Sequence, residues 1–315
     1  MNKLLKRITT LSAAAVLVFS IAGCGNANKG TTENKTNQSS QSQSVSYPLT
    51  IVDSFGNEVT LEKEPERVIS AAPNITEIIY DIDAEGKLVG RTDYCDYPPD
   101  VLTIESIGTL ITPDIEKIIG LEPDIVIAST HFNEENLKKL EDAGIKIISL
   151  YEENDVSGVY TMIETLGKAL NKQDIAEEKV SEMKKTIGDV ESAIKGEKEP
   201  TVYYVVSYGE GGDFSAPENT FVGGLIKLAG GQNIVPASDN WSFSLEALLE
   251  ADPEIIVVGK GQKDGFMSAE GYKELTAVKE GKIYEIDSNI IDRQGYRNAE
   301  GVLELAKIFH PEAFK

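Results

Sequence analysis

Glu116 and Glu246 stand 130 residues apart in settings that match closely. Asp114-Ile115-Glu116 opens one and Ser244-Leu245-Glu246 the other, and each Glu leads on to a Pro-acidic pair, Pro123-Asp124 and Pro253-Glu254. Asp114 and Ser244 are residues suited to capping a helix, which puts each Glu in a first helical turn. A carboxylate there gains from the unpaired amides of the helix start, stays ionised and is ready for a guanidinium fork. First-turn glutamates are common and often only stabilise their own helix; it is the matched pair that singles these two out. Other chemistry-bearing residues are sparse. His131 follows the apolar run Ile125–Ala128 and could coordinate a metal centre or contact a planar ligand, whereas His310 stands where a closing helix should end. Arg293 and Arg297 fall in a loop, Asp292-Arg293-Gln294-Gly295-Tyr296-Arg297, suited either to anionic groups or to pairing with an acidic surface. Tyr94 lies in the turn-rich stretch Arg91–Pro99, and Trp241 lies beside Ser238-Asp239-Asn240. Both are poor places to bury a ring and good places to present one.

Enzymatic patterns are missing. There is no Gly-x-Ser-x-Gly, no His-Glu-x-x-His and no cluster of His, Cys and Asp at metal-binding spacing. The glycine-rich loops at Tyr208–Phe214 and Gly259-Lys260-Gly261 lack the dinucleotide fingerprint and the Lys-Ser/Thr of a phosphate loop. A secreted α/β enzyme working through carboxylates stays open as the reading of another class. No catalytic residue, catalytic cofactor or protein-held metal is assigned.

The elements that must position these residues read as α/β. Each Pro-acidic pair runs into four or more apolar, mostly β-branched residues, the mark of a strand covered on both faces. Leu49 to Val59 suggests a hairpin with its turn near Gly56. Strands are predicted at Arg67–Ser70, Leu88–Gly90, Ile145–Leu150, Thr201–Ser207 and Lys282–Ile286. Helices are predicted from Pro73, over Glu134–Ala143, Phe221–Leu228 and Ala299–Phe309. This is βαβ rhythm, and a mostly parallel sheet follows. Between the two halves, residues 156–195 keep helical apolar spacing, with a kink possible at Gly167 or near Asn171. One long helix joining two lobes would be stiff, so interlobe motion should be small.

The chain opens with Lys3, Lys6 and Arg7, then an uncharged run from Ile8 to Ala22, then Gly23-Cys24. That order makes a secretory signal, and Ile21-Ala22-Gly23-Cys24 resembles the bacterial lipobox, with Cys24 as the lipidated residue. A polar stretch to Ser46 then reads as a tether. The expected organisation is signal peptide 1–23, lipidated tether 24–46, N-terminal lobe 47–155, connecting helix 156–195, and C-terminal lobe with closing helix 196–315. The formal charge of −22 argues against nucleic acid and against a surface that hugs anionic lipid, which leaves the lipid as the anchor.

Taken in order, these segments resemble the class III, helical-backbone substrate-binding lipoproteins of bacterial ABC importers. The resemblance runs from about Pro65 to Phe314 and is carried by Val68-Ile69-Ser70 with Pro73-Asn74-Ile75-Thr76-Glu77, and by Val89-Gly90 to Tyr97-Pro98-Pro99. Asp114-Ile115-Glu116 to Ile127, Leu228-Ala229-Gly230-Gly231-Gln232-Asn233-Ile234, Trp241 with Ser244-Leu245-Glu246, and Leu305-Ala306-Lys307 to His310-Pro311 complete it. It implies two Rossmann-like lobes joined by one long helix, a ligand cleft between them, and a monomer on the outer face of the cell membrane. It implies a bulky metal complex as ligand (a cobalamin-like corrinoid first, a ferric siderophore or haem as alternatives) and a permease dimer as partner. Glu116 and Glu246 match the glutamates that pair with permease arginines in that family. Tyr94 and Trp241 match two cleft aromatics of its vitamin-B12 binders, while Leu110 and Ser129 stand where those proteins have tryptophan. His131, Arg293 and Arg297 are the remaining expected ligand contacts.

Overall fold

The computed structural model describes residues 45–130, 132, 134–152 and 154–315. Strands β1 (Leu49–Val52) and β2 (Glu58–Leu61) form an antiparallel hairpin. Its turn is tied by Asp53 Oδ1, which accepts from the amides of Phe55 and Asn57, and Gly56 supplies the positive φ of +83°. A first parallel sheet follows, β3 (Val68–Ser70), β4 (Leu88–Arg91), β5 (Ile125–Ala128) and β6 (Lys146–Ser149), with helices α1 (Pro73–Asp81), α2 (Ile115–Gly120) and α3 (Glu134–Asp142) in the crossovers. Helices α4 (Val156–Ala169) and α5 (Gln173–Ala193) lead to a second parallel sheet. That sheet holds β7 (Thr201–Tyr204), β8 (Gln232–Asn233), β9 (Ile255–Gly259) and β10 (Ile283–Ile286). Its helices are α6 (Phe221–Leu228), α7 (Leu245–Ala251), α8 (Lys263–Ser268) and α9 (Thr276–Lys279), and α10 (Asn289–Asp292) and α11 (Asn298–Phe309) close the chain. The spatial orders are β4-β3-β5-β6 and β8-β7-β9-β10, so both sheets run second, first, third, fourth.

The strands alternate between two cores, as a period of two requires. Ile125 and Ile127 of β5, and Ile255 and Val257 of β9, point into one cluster shared by both sheets with α1, α4, α5, α6 and α11. Val126 and Ala128 face a separate cluster with Ile69, Ile118 and Leu140, and Ile256 and Val258 face another with Tyr203, Leu248 and Phe266. Each sheet therefore has an outer core of its own, and one inner core fastens the lobes together.

The repeated unit recurs in three dimensions. Asp114 Oδ1 accepts from the Lys117 amide at 2.9 Å and Ser244 Oγ from the Ala247 amide at 3.2 Å, capping α2 and α7 alike. The chain leaves each helix through a non-glycine residue in the left-handed region, Glu122 at φ +46° and Asp252 at φ +37°, and the proline that follows cannot continue the helix. The acid after each proline then fixes the start of a neighbouring strand. Asp124 Oδ2 accepts from the amides of Glu66 and Arg67, and Glu254 Oε2 from the amide of Thr201. A lysine pairs with each, Lys63 with Asp124 and Lys198 with Glu254.

The one long helix expected over 156–195, with a kink possible at Gly167 or near Asn171, is instead two helices, and the break falls at Asn171. Helices α4 and α5 turn back on each other at Leu170–Lys172, where Asn171 takes φ +58°. Lys184 Nζ sits 4.9 Å from the centre of the Tyr160 ring, so the start of α4 lies beside the middle of α5. Close approach is possible because Gly167 has no side chain: a Cβ there would stand 2.4 Å from that of Ala176. Only the 21 residues of α5 make the run into the C-terminal lobe.

Candidate binding cleft

In both sheets the crossovers run in opposite directions from the first strand, so a crevice opens past the carboxyl ends of β3 and β5. A cavity of about 320 Å³ lies there, lined by Ala72, Pro73 and Asn74 after β3 and by Ser129 and Thr130 after β5. Leu110, Tyr151 and Glu152 extend this wall, and Asp292, Arg293 and Gln294 of the C-terminal lobe form the opposite one. Larger hollows of about 870 Å³ beside the β1–β2 hairpin, sharing Thr130 with this cavity, and about 770 Å³ beside His310 are lined by neither Arg293 nor the Pro73–Asn74 start of α1.

The two lobes meet here through polar contacts. Glu77, buried on α1, accepts from Arg297 Nε at 2.9 Å and Nη2 at 2.8 Å, a two-point fork. Arg293 Nη1 donates to the same carboxylate at 2.8 Å and to Asp96 Oδ1 at 2.7 Å. The Arg297 guanidinium also lies 4.1 Å from the centre of the Tyr97 ring. Burial works against charge on Arg293, but the bonds it donates to Asp96 and Glu77, with their charges, outweigh it and hold its pKa above the ordinary value. Gln294 adds a further tie, accepting from the Glu152 amide at 2.9 Å. Two acids nearby are pushed up by burial. Asp292, which accepts from Tyr204 Oη at 3.0 Å, rises to about 6. Asp81, whose Oδ2 has no hydrogen-bond partner among the described residues, rises to about 7, with the Glu77 charge adding to the burial effect.

Of the residues singled out from sequence, Arg293 lines the cavity, whereas Arg297 sits behind it with its fork spent on Glu77. Tyr94 and Trp241 are outside the cavity lining and well exposed, at 54% and 40%. Tyr94 follows β4, in a loop held by the Asp93 amide donating to Gly108 O. Trp241 takes φ +66°, a backbone conformation that costs a bulky residue about 1–3 kcal/mol. Its carbonyl accepts from the Ser215 amide, and the adjacent Ser242 bridges to Phe214, which pairs with Ser207 beyond β7. Both rings therefore stand past the carboxyl ends of their own sheets. Glu116 and Glu246 are exposed in the first turns of α2 and α7. His131 and Cys24 lie outside the described residues, although the residues just before His131 line the cavity.

Sequence reasoning missed Glu77, Asp96, Asp292 and Gln294. Glu77 did leave a signal, since it interrupts the apolar run Ile75–Ile79 in which all five residues are buried. Among the described residues, no group of three His, Cys, Asp or Glu could hold a metal ion, and no helix is long and apolar enough to cross a membrane.

A family model described as periplasmic binding protein matches residues 68–290. The uncharacterized ABC transporter substrate-binding lipoprotein YvrC of Bacillus subtilis (strain 168) is 30% identical, over 98% of this chain and 99% of its own. A cobalamin-binding protein of Halobacterium salinarum is 26% identical over 85% of this chain and 76% of its own. The crystal structure of the periplasmic vitamin B12 binding protein BtuF of Vibrio cholerae matches with a TM-score of 0.70 at 25% identity, covering 80% of this chain and 98% of that one.

Proposed function

The chain belongs to the periplasmic binding protein family, whose members are solute-binding transport components rather than enzymes, and within it we propose a carrier for a cobalamin-like corrinoid. Anchored through a lipid on Cys24, it captures the corrinoid outside the membrane and delivers it to an ABC permease. The observation that carries this reading is the placement of Tyr94 and Trp241, two exposed rings past the carboxyl ends of the two sheets. Rings so held desolvate a large, partly apolar ligand at low entropic cost. A cavity of about 320 Å³ takes only part of a corrinoid, so the macrocycle would lie across its mouth against these rings. The relatives that bind cobalamin by name support the same choice. Glu116 and Glu246, exposed at matched places, are the carboxylates that meet the permease.

Arg293 favours a second reading. A guanidinium on the cavity wall suits an anionic chelate such as a ferric siderophore or the propionates of haem.

The test uses protein extracted from membranes of its native host and then stripped of ligand. The chain has a single tryptophan, so fluorescence reports on Trp241 alone. Cobinamide and cobalamin should quench it at micromolar concentration or below, and Trp241→Ala should weaken binding by about 1–3 kcal/mol. Tight binding of haem or a ferric siderophore with no response to corrinoids transfers the assignment to the second reading. Mass spectrometry of the same preparation should find Cys24 as a lipidated N-terminus, and a soluble product starting elsewhere removes the anchor.

A further inference from the structure

Ile119 and Leu249 are large, apolar and exposed, at 41% and 37%, and they too are 130 residues apart. Each stands three residues after its glutamate, so on α2 and α7 it shares the side of the helix that carries Glu116 or Glu246. The opposite sides are anchored alike, by Ile118 and Leu248, both fully buried. Five residues before each glutamate comes another exposed apolar residue, Ile111 in one lobe and Trp241 in the other. The order of buried, half-buried and exposed positions over 111–120 recurs without change over 241–250. One exposed aliphatic side chain on a protein surface is ordinary. Two at corresponding places, each beside an exposed carboxylate, meet no need of the fold, because neither helix requires them for its own packing. The carboxylates are also free: Lys117 pairs with Glu105, and neither Glu116 nor Glu246 has an ion-pair partner among the described residues.

We propose that Ile119 and Leu249 are apolar anchors of two equivalent docking patches, and that the partner is a twofold-symmetric permease presenting one basic, apolar-walled socket twice. The inference rests on reading Glu116 and Glu246 as the docking carboxylates. Its complement is chemically defined: an arginine offers a fork for the carboxylate and an apolar stem beside which an Ile or Leu packs. Closed twofold symmetry supplies two copies of one socket, and the internal repeat of this chain supplies two copies of one patch. The ion pair then sets encounter and orientation, while the buried aliphatic contact sets how long the complex lasts.

The test measures binding of the full chain to the permease–ATPase complex of its own importer in lipid nanodiscs, at low and high salt, with melting curves as a folding control. Ile119→Ser with Leu249→Ser should weaken binding by roughly 10- to 100-fold, mainly through faster dissociation, with the salt dependence kept. Glu116→Arg with Glu246→Arg should weaken it and abolish the salt dependence. Exchanging the anchors, Ile119→Leu with Leu249→Ile, should leave affinity within about threefold, because the sockets are the same. If the serine pair binds like wild type while charge reversal weakens binding, the anchors are refuted and the docking carboxylates stand. If neither pair weakens binding, the docking reading itself is lost. A large loss on exchange refutes the equivalent sockets.

Discussion

Glu77 is the side chain on which both lobes converge, and its surroundings decide how the protein answers to pH. It serves two guanidiniums from the far lobe, yet its own neighbour on α1, Asp81, is left with an oxygen unpartnered among the described residues. The sequence put Arg293 and Arg297 in a loop and offered two uses for them, ligand or acidic partner. For Arg297 the acidic partner is the one seen, and only burial, which single-residue chemistry does not encode, could have told them apart. Asp81 carries a prediction. Its pKa is raised to about 7 by burial first and Glu77 second, so the protonated form is favoured by folding. That contribution is fully present below the unfolded value near 4 and is lost as pH rises through about 7. Asp292, raised to about 6, acts with the same sign, whereas Asp124 and Glu254, whose pKa values are lowered, matter only on the acid side. Asp81→Asn should therefore raise the melting temperature at pH 8 by a few degrees and flatten its fall between pH 5 and pH 8. A variant that melts lower at pH 8 would show that ionised Asp81 is held by Lys179 and Arg297 instead.

Helices and strands were largely legible because the signals that set them are local. The caps at Asp114 and Ser244, the Pro-acidic pairs and the β-branched runs all did locally what their chemistry requires. What stayed hidden was the fold-back of α4 on α5. No proline marks it, and the polar stretch Asn171-Lys172-Gln173-Asp174 is equally compatible with a kink in one helix. Two glycines now make opposite predictions. At Gly167 a Cβ would meet that of Ala176 at 2.4 Å, and neither atom can swing aside. Gly167→Ala should thus cost about 1–3 kcal/mol through overpacking. At Gly188, inside α5, a Cβ meets nothing within 4 Å. Gly188→Ala should stabilise by about 0.4–1 kcal/mol through lower unfolded-state entropy and better helix propensity. Urea midpoints of the two variants, shifted in opposite directions, check the close approach; a shared sign would mean the helices stand further apart at Gly167.

The two lobes were readable from size and repeat, but the way they are fastened was not. A repeat in sequence says that two units exist; it carries no information on whether their cores merge. Here the inner faces of both sheets share one cluster, with α4, α5, α6 and α11 packed between them. The Glu77 fork and the Gln294–Glu152 tie cross the same junction. Opening the cleft widely would expose part of that core, so lobe motion should be small and ligand release should depend on the docked partner. The stability consequence is testable without any ligand. Despite its size and two sheets, the folded body should unfold in one calorimetric transition, with calorimetric and van't Hoff enthalpies equal. Glu77→Gln strips the counter-charge from the largely buried Arg297 guanidinium and leaves Arg293 with Asp96 alone, at a cost of about 3–5 kcal/mol. The melting temperature of that variant should drop by several degrees while the transition stays single, because the apolar core, not the ion pairs, couples the lobes. Two resolved transitions in the wild type would mean that each sheet holds its own fold, and that the shared cluster is a contact between independent bodies. Two transitions appearing only in Glu77→Gln would hand the coupling to the fork instead, and with it control over how far the cleft can open.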